Sequence, residues 1–244
     1  MSFPRRRESM SSQRTRWVPA FAGTTDSMPR GRAPGYDTQR DEILAHAAEL
    51  FARRGYPGTS MNEVAEACGM SKPALYHYVR DKERLLAEIA QGHVQRLVAL
   101  VGEVAAENLP APEHLRRLIE RFVQEYASAQ NAHRVLTEDV RFLEPPDRER
   151  VLADERRVIA AFAGAVAALR PDLESARLHK PLTMLLFGMI NWMFTWVRPE
   201  GALTHEQMAP LVADLFFGGL PAVRMPAAPR KAARGRERAA GAAA

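Results

Sequence analysis

The sequence predicts an all-α protein. Apolar residues recur at three- and four-residue spacing along most of the chain, Gly and Pro cluster at a few points between those runs, and no strand-like alternation persists. On this basis we count nine helices and no internal repeat. They form a short N-terminal three-helix unit and a longer C-terminal helical body.

The elements follow in order. A first helix is expected over about 38–54, with Ile43, Leu44, Ala47, Ala48 and Phe51 on one face. Gly55 stops it as a C-cap, and Pro57-Gly58 prevents continuation. Ser60 caps a short helix, with Glu63 three residues on in capping-box spacing. That helix ends before Gly69. Ser71 caps a third helix over about 72–79, with Pro73 in its first turn, where a missing N–H costs little. Asp81 precedes a long helix over about 82–107. The next carries Leu115, Leu118, Ile119, Phe122, Val123 and Tyr126 at helical spacing. Asn131 and Pro145-Pro146 bracket a helix near 132–143, and another is expected over 147–169. An apolar helix over about 174–197 should kink at Pro181. The last, about 204–217, places Met208, Leu211, Val212, Leu215 and Phe216 on one stripe.

Charge is concentrated at the ends. Residues 1–35 hold seven Arg and two acids, and residues 223–244 hold six basic residues and one acid, so the body between them is net acidic although the chain is +5 overall. The basic balance therefore belongs to the tails and says little about DNA binding by itself, although the tails would add nonspecific, salt-sensitive affinity. Both ends lack helical periodicity and are rich in Arg, Pro, Ser, Gly or Ala, which predicts disorder. The strings Phe3-Pro-Arg-Arg-Arg-Glu-Ser9 and Trp17-Val-Pro-Ala-Phe-Ala-Gly-Thr-Thr-Asp26 resemble a translated intergenic repeat, which makes Met28 an alternative start. The expected organisation is an extension over 1–35, a three-helix unit over 36–84, a longer helical body over 85–221, and a basic tail over 222–244.

The stretch 59–82 reads physically as two short helices with a tight turn at Gly69, where a positive φ is needed. Ala65 is small where the helices would cross, and Met70, Leu75 and Val79 supply the side that packs on the first helix. Ser71, Lys72, Pro73, Ala74, Tyr76, His77 and Tyr78 remain for the outer side. A basic, aromatic and small surface on a short helix suits a major groove.

The features Thr59-Ser60, Val64-Ala65, Gly69-Met70-Ser71, Leu75-Tyr76-His77-Tyr78, and Lys82 followed by Glu83 and Leu85-Leu86 closely resemble the TetR family of bacterial regulators. So does the preceding run from Ala47-Ala48 through Phe51 to Gly55-Tyr56. The resemblance implies a nine-helix TetR-like fold: an N-terminal helix-turn-helix domain, then a helical ligand-binding and dimerisation domain. It implies that Lys72, Pro73, Ala74 and Tyr76 face base edges, that Ser60, Tyr78 and Lys82 hold phosphates, and that Asn62 reaches either. Tyr76 and Tyr78 could equally be packing residues. A homodimer would set two recognition helices about one DNA turn, ~34–36 Å, apart on a near-palindromic double-stranded operator.

The resemblance also implies that the last two helices build the dimer interface. The apolar helix ending near 197 needs cover on two sides, and a partner subunit can supply one of them through Leu185, Gly188, Met189 and Met193, with Leu211, Leu215 and Phe216 of the last helix. The strings Glu138-Asp-Val-Arg-Phe-Leu143, Leu186-Phe-Gly-Met-Ile-Asn-Trp192, Trp196-Val-Arg-Pro199 and Leu215-Phe-Phe-Gly-Gly-Leu220 resemble a subgroup that senses acyl-CoA thioesters. Phe122, Tyr126, Arg141, Phe142, Phe187, Asn191 and Trp192 are the candidate pocket residues; core packing is the alternative for the aromatics, a dimer-interface hydrogen bond for Asn191, and a surface charge for Arg141. A repressor released by its small-molecule effector is the default, and an activator is the other direction. An efflux regulator with a promiscuous aromatic pocket would use the same fold, and a nonspecific DNA binder is a more distant reading.

Other classes find little support. The seven His show no metal-ligand spacing, and neither a Gly-x-Ser-x-Gly nor a phosphate-loop pattern occurs, so neither an enzyme nor a cofactor is expected. The single Cys68 cannot form an intrachain disulfide, which fits a reducing cytoplasm. We read it as a small packing residue rather than a redox sensor. No secretory signal is visible, and the most apolar run, 182–197, is short of the ~20 residues of a membrane span.

Overall fold

Most helices begin where the local chemistry supplies a cap or a proline. In the computed structural model, which describes residues 35–175, 177–197 and 201–224, Ser60 and Glu63 form the full capping box of α2, Met61–Ala67. The Ser71 side chain accepts from the Ala74 N–H at the start of α3, Lys72–Leu75. Asp81 does the same for the Arg84 N–H and opens α4, Lys82–Ala106. Thr204 and Gln207 make a second capping box for α9, His205–Gly219. Proline takes this position in α5, Ala111–Ser128, and in α7, Pro145–Leu169. The first helix, α1, spans Tyr36–Arg54 and ends at Gly55 with φ +76°. Among the described residues there are nine α-helices and no strand.

Some expected boundaries move, each for a local reason. The third helix closes at Leu75 instead of 79. The chain then tightens into three-residue turns, with His77 N–H donating to Ala74 O and Tyr78 N–H to Leu75 O, because Val79 must reach the core before α4 is capped. The sixth helix, α6, runs Gln130–Asp139, earlier than expected, and a 3₁₀ turn over Val140–Phe142 follows it. Pro145 and Pro146 lie inside the first turn of α7 rather than outside a helix. The expected 174–197 helix is α8, His179–Asn191, with a separate 3₁₀ turn Met193–Thr195. Pro181 falls in the first turn of α8, where its missing N–H has no intrahelical partner to lose, so the expected kink does not arise. The expected disordered extension and tail lie almost wholly outside the described residues.

From Asp37 onward the helices belong to one compact body. Buried apolar residues form a single cluster from Ile43 in α1 to Leu220. α4 packs against α5, α6 and α7, α5 lies on α9, and α7 on α8. Leu85, Leu86 and Ala90 of α4 are buried in the same cluster as Phe51, Val64 and Leu75, so no gap in the core marks the expected boundary near 84.

The two C-terminal helices each divide into an inner and an outer face. In α8, Leu182, Thr183, Leu186, Phe187 and Ile190 are buried, whereas Met184, Leu185, Gly188 and Trp192 face outward. In α9, Met208, Val212 and Phe216 point inward and Leu211 and Leu215 outward, so the expected single stripe is two. Met193 and Phe216, expected at a partner subunit, are buried in the chain's own core, and Met189 is half-buried.

Phe122 sits at the centre. It is fully buried and meets Phe162 edge-on at 4.8 Å and Tyr126 at 5.9 Å, with Phe187 at 6.4 Å. Phe122→Ala should cost about 3–5 kcal/mol. A urea titration is expected to show a lower midpoint at unchanged slope; an unmoved midpoint would contradict this packing.

Candidate DNA-reading face and effector cavity

The α2–α3 pair is joined by a turn at Gly69, whose φ of +63° an L side chain rarely adopts. The Cys68 and Met70 N–H groups donate back to α2 carbonyls, so the crossing is fixed by backbone. Ala65, Leu75 and Val79 face the core. Asn62, Ser71, Lys72, Pro73, Tyr76 and His77 are exposed, and Ala74 and Tyr78 are half-exposed, with Tyr78 also packed on the core. The sequence-predicted residues are thus brought together on one open surface. Ser60 is exposed as well, but its hydroxyl is engaged in its own capping box. Arg80, not singled out from the sequence, extends from the same surface with its side chain 90% exposed.

Lys82, expected at a phosphate, also makes contacts within the chain. Its ammonium donates to the carbonyls of Tyr56 and Thr59, both at 2.9 Å, and lies 4.4 Å from the centre of the Tyr56 ring. Two of its three N–H bonds hold the α1–α2 loop. Tyr56 in turn donates its N–H to the buried Asp139 carboxylate at 3.3 Å and stacks on Phe142 at 5.6 Å. This joint ties the α1–α2 loop to the end of α6. Burial raises the Asp139 pKa, against the Tyr56 N–H that lowers it.

A cavity of about 190 Å³ lies between α4, α5, α6, α7 and α8. Val94, Leu97, Leu136, Val158, Ile159, Met184 and Phe187 make its apolar wall; Tyr126, His133, Thr137, Glu155 and Asn191 bring polar atoms. Three predicted pocket residues, Tyr126, Phe187 and Asn191, line it. Phe122 stands behind Tyr126 and Phe187 and supports them without lining the space. Arg141, Phe142 and Trp192 lie outside. Because α6 ends at Asp139, the 3₁₀ turn carries Arg141 and Phe142 away to the Tyr56 joint, where the Arg141 guanidinium lies over the Phe142 ring. Trp192 follows Asn191 by one residue, a ~100° rotation, and turns outward.

Sequence spacing missed a buried histidine pair. His93 Nε2 and His133 Nδ1 lie 3.3 Å apart, sharing a proton between rings on α4 and α6, and Tyr126 stacks on His133 at 3.7 Å. The partners are 40 residues apart, so no local motif marks them. Among the described residues no cluster of three or more metal-ligating side chains occurs. Cys68 is half-buried, and burial pushes its thiol pKa up, which suits packing better than a reactive thiolate.

The histidine pair predicts an acid-sensitive fold. Burial lowers the His93 pKa to about 4; burial and the neighbouring His93 lower that of His133 to about 3. Unfolded, both take up protons near pH 6.5, so the unfolded state binds more protons below that pH and stability falls as pH drops. We expect no loss from this pair above about pH 7 and a decline of roughly 1.4 kcal/mol per pH unit per histidine between about 6.5 and 4. Chemical denaturation across this range should show the decline, shallower in a His93→Gln, His133→Gln variant. Equal slopes in the two proteins would refute the assignment.

Comparison with known proteins agrees with both halves of this architecture. Residues 43–89 match the family described as bacterial regulatory proteins, tetR family, and residues 108–220 match the tetracyclin repressor-like C-terminal domain. A TetR-family transcriptional regulator from Bordetella parapertussis is 33% identical and superposes with a TM-score of 0.71, over 76% of this chain and 97% of that one. AibR, solved with isovaleryl coenzyme A and operator DNA, is 25% identical with a TM-score of 0.63, over 72% and 97%. The transcriptional activator FasR of Mycolicibacterium smegmatis is 31% identical over 194 residues, 78% of this chain and 87% of FasR. The chain belongs to the TetR family of bacterial transcriptional regulators.

Proposed function

We propose that this regulator binds a near-palindromic operator as a homodimer, represses from it, and is released when a small molecule occupies the α4–α8 cavity. The observation that carries the DNA half is the exposed surface of Ser71, Lys72, Pro73, Tyr76 and His77 on a rigidly turned α3. Lys72 and Tyr76 would read base edges, with Asn62, Tyr78 and Arg80 at the flanks. Phosphate contacts add affinity and base contacts add specificity. The DNA-reading unit is taken as residues 36–84 and the effector and dimer body as 85–221.

The dimer half rests on an outer apolar face. Leu185 is 66% exposed, Trp192 62%, Leu211 49% and Leu215 70%. With Gly188 between them, these residues from α8 and α9 suit a self-complementary two-fold contact.

For the effector we favour the acyl part of a coenzyme A thioester, supported by the AibR complex and by an apolar cavity with a few polar groups. We read the protein as a non-enzymatic regulator without a resident cofactor, acting on cytoplasmic DNA. No described helix is long and apolar enough to cross a membrane.

Effector and operator would be linked through α6. It brings His133, Leu136 and Thr137 to the cavity and carries Asp139, with Phe142 just beyond, to the Tyr56 loop. If the effector favours the state with mis-spaced reading heads, operator must weaken effector binding by the same factor.

Gel-shift on the DNA upstream of the gene, at fixed salt, tests the reading. Specific binding should be released by one member of an acyl-CoA panel at micromolar concentration, and Lys72→Ala should weaken binding by about tenfold. Specific binding that no acyl-CoA disturbs would remove the thioester; turnover of any thioester would remove the non-enzymatic reading. Phe142→Ala should leave operator affinity within about threefold while blunting release by an effector that still binds. Undiminished release in that variant would rule out the α6 route.

A further inference from the structure

The cavity wall carries buried acceptors with no cation among its lining residues. None of its lining residues is Lys or Arg, and His133, with its pKa lowered to about 3, is uncharged at neutral pH, although its ring keeps one N–H. Thr137 already gives its hydroxyl proton to the His133 carbonyl at 2.8 Å, leaving only lone pairs. The Asn191 side-chain oxygen is buried and accepts no hydrogen bond among the described residues. Glu155 is half-buried on α7 and has neither hydrogen bond nor ion pair there; the adjacent Arg156 pairs with Glu149 instead. Burial pushes the Glu155 pKa up, against the nearby Arg156 charge, which lowers it. The Tyr126 phenol and the Asn191 amide N–H groups are donors in the same wall, and burial, with the nearby Glu155 charge, holds the phenol proton on.

An unmet buried acceptor costs free energy that a donating ligand returns. A second carboxylate brought into the same small space meets like charge, with no cation in the cavity lining to offset it. Size adds a further limit. At about 190 Å³ the cavity is a little larger than a ~150 Å³ cavity that takes benzene, and well below the ~300–1,000 Å³ of drug-sized sites. A short acyl body fits, and a nucleotide does not. Met184, lining the cavity yet 48% exposed, marks the opening through which the rest of a thioester would leave.

We propose that Glu155 and Asn191 set the specificity of this cavity, accepting a short acyl group that carries a hydroxyl and turning away one that ends in a carboxylate. This rests on the cavity being the effector site. In the favoured pose the ligand hydroxyl donates to Glu155 or to the Asn191 oxygen, and the chain lies against Phe187, Val158 and Leu136.

Calorimetric titration of the full chain with three four-carbon thioesters tests it. We expect 3-hydroxybutyryl-CoA to bind about tenfold tighter than butyryl-CoA, and succinyl-CoA about tenfold weaker. Glu155→Gln should bring succinyl-CoA to within about threefold of butyryl-CoA. Equal affinities in the wild-type protein, or discrimination unchanged in Glu155→Gln, would overturn the proposal. A parallel thermal-shift arm uses butan-1-ol and butanoate at millimolar concentration, which probe the cavity without coenzyme A. Stabilisation by the alcohol and not the acid, with the acid also stabilising in Glu155→Gln, would support the role of Glu155 even if every thioester failed, and would place the error in the thioester reading. No shift with either probe would overturn the specificity role together with the thioester.

Discussion

The fold turns on a small electrostatic knot at the α1–α2 loop. The Lys82 ammonium gathers the carbonyls of Tyr56 and Thr59, while the Tyr56 N–H rests on Asp139. Hydrogen bonds with a charged partner contribute about 1.5–3 kcal/mol each, more than neutral ones. What matters more is where these meet. The knot brings together the end of α1, the start of α2, the first residue of α4 and the last residue of α6. The turn at Gly69 fixes α3 against α2, so the orientation of the outward-facing residues of α3 is inherited from this knot. Lys82 buried part of its charge to make it, and the Tyr56 ring beneath the ammonium offsets part of that desolvation.

The interior beyond the knot obeys a different economy. Phe122, Phe162 and Phe187 form an aromatic cluster with edge and tilted contacts, which holds Tyr126 against the cavity. The histidine pair then joins α4 to α6 where hydrocarbon alone would leave ring nitrogens without partners. A second polar tie, from Gln91 to the buried Asp154 at 2.7 Å, links α4 to α7. With the ion pairs of Glu88 to Arg40 and of Arg96 to Glu125, the long α4 is held by polar contacts to several neighbours as well as by apolar packing. Such contacts have a narrow range of workable geometry, so a displacement of α4 or α6 by a ligand would be met as a choice between arrangements.

Features written in adjacent residues were legible in the sequence. Ser60 with Glu63, Ser71 with Pro73, Asp81 and Gly55 are short-range signals, and each is found at the helix end it marks. The exposed side of residues 71–78 followed from the alternation of core and open positions within eight residues. What was not legible depends on contacts across the chain. Lys82 looked free because its acceptors, the Tyr56 and Thr59 carbonyls, carry no side-chain signature. Arg141 and Phe142 belonged to the right segment but lay past the end of α6, and a shift of the boundary by a few residues rotates side chains to a different neighbour. The histidine pair and the isolation of Glu155 come from four helices meeting. The single stripe expected on α9 divides because Leu211 and Leu215 share one side of the helix and Met208, Val212 and Phe216 another.

Both indoles among the described residues, Trp192 and Trp196, are more than half exposed, and neither lines the cavity. They stand on the outer side of α8 and just after it, beside Leu185. The emission of these two rings therefore reports on whether that surface faces water or another molecule. Dilution through a subunit equilibrium would shift it to longer wavelength, and filling the space behind Phe187 would act on it only indirectly. In a Trp17→Phe variant, which leaves these two indoles alone, association of chains can thus be followed optically, without a label, and separately from occupancy of the interior.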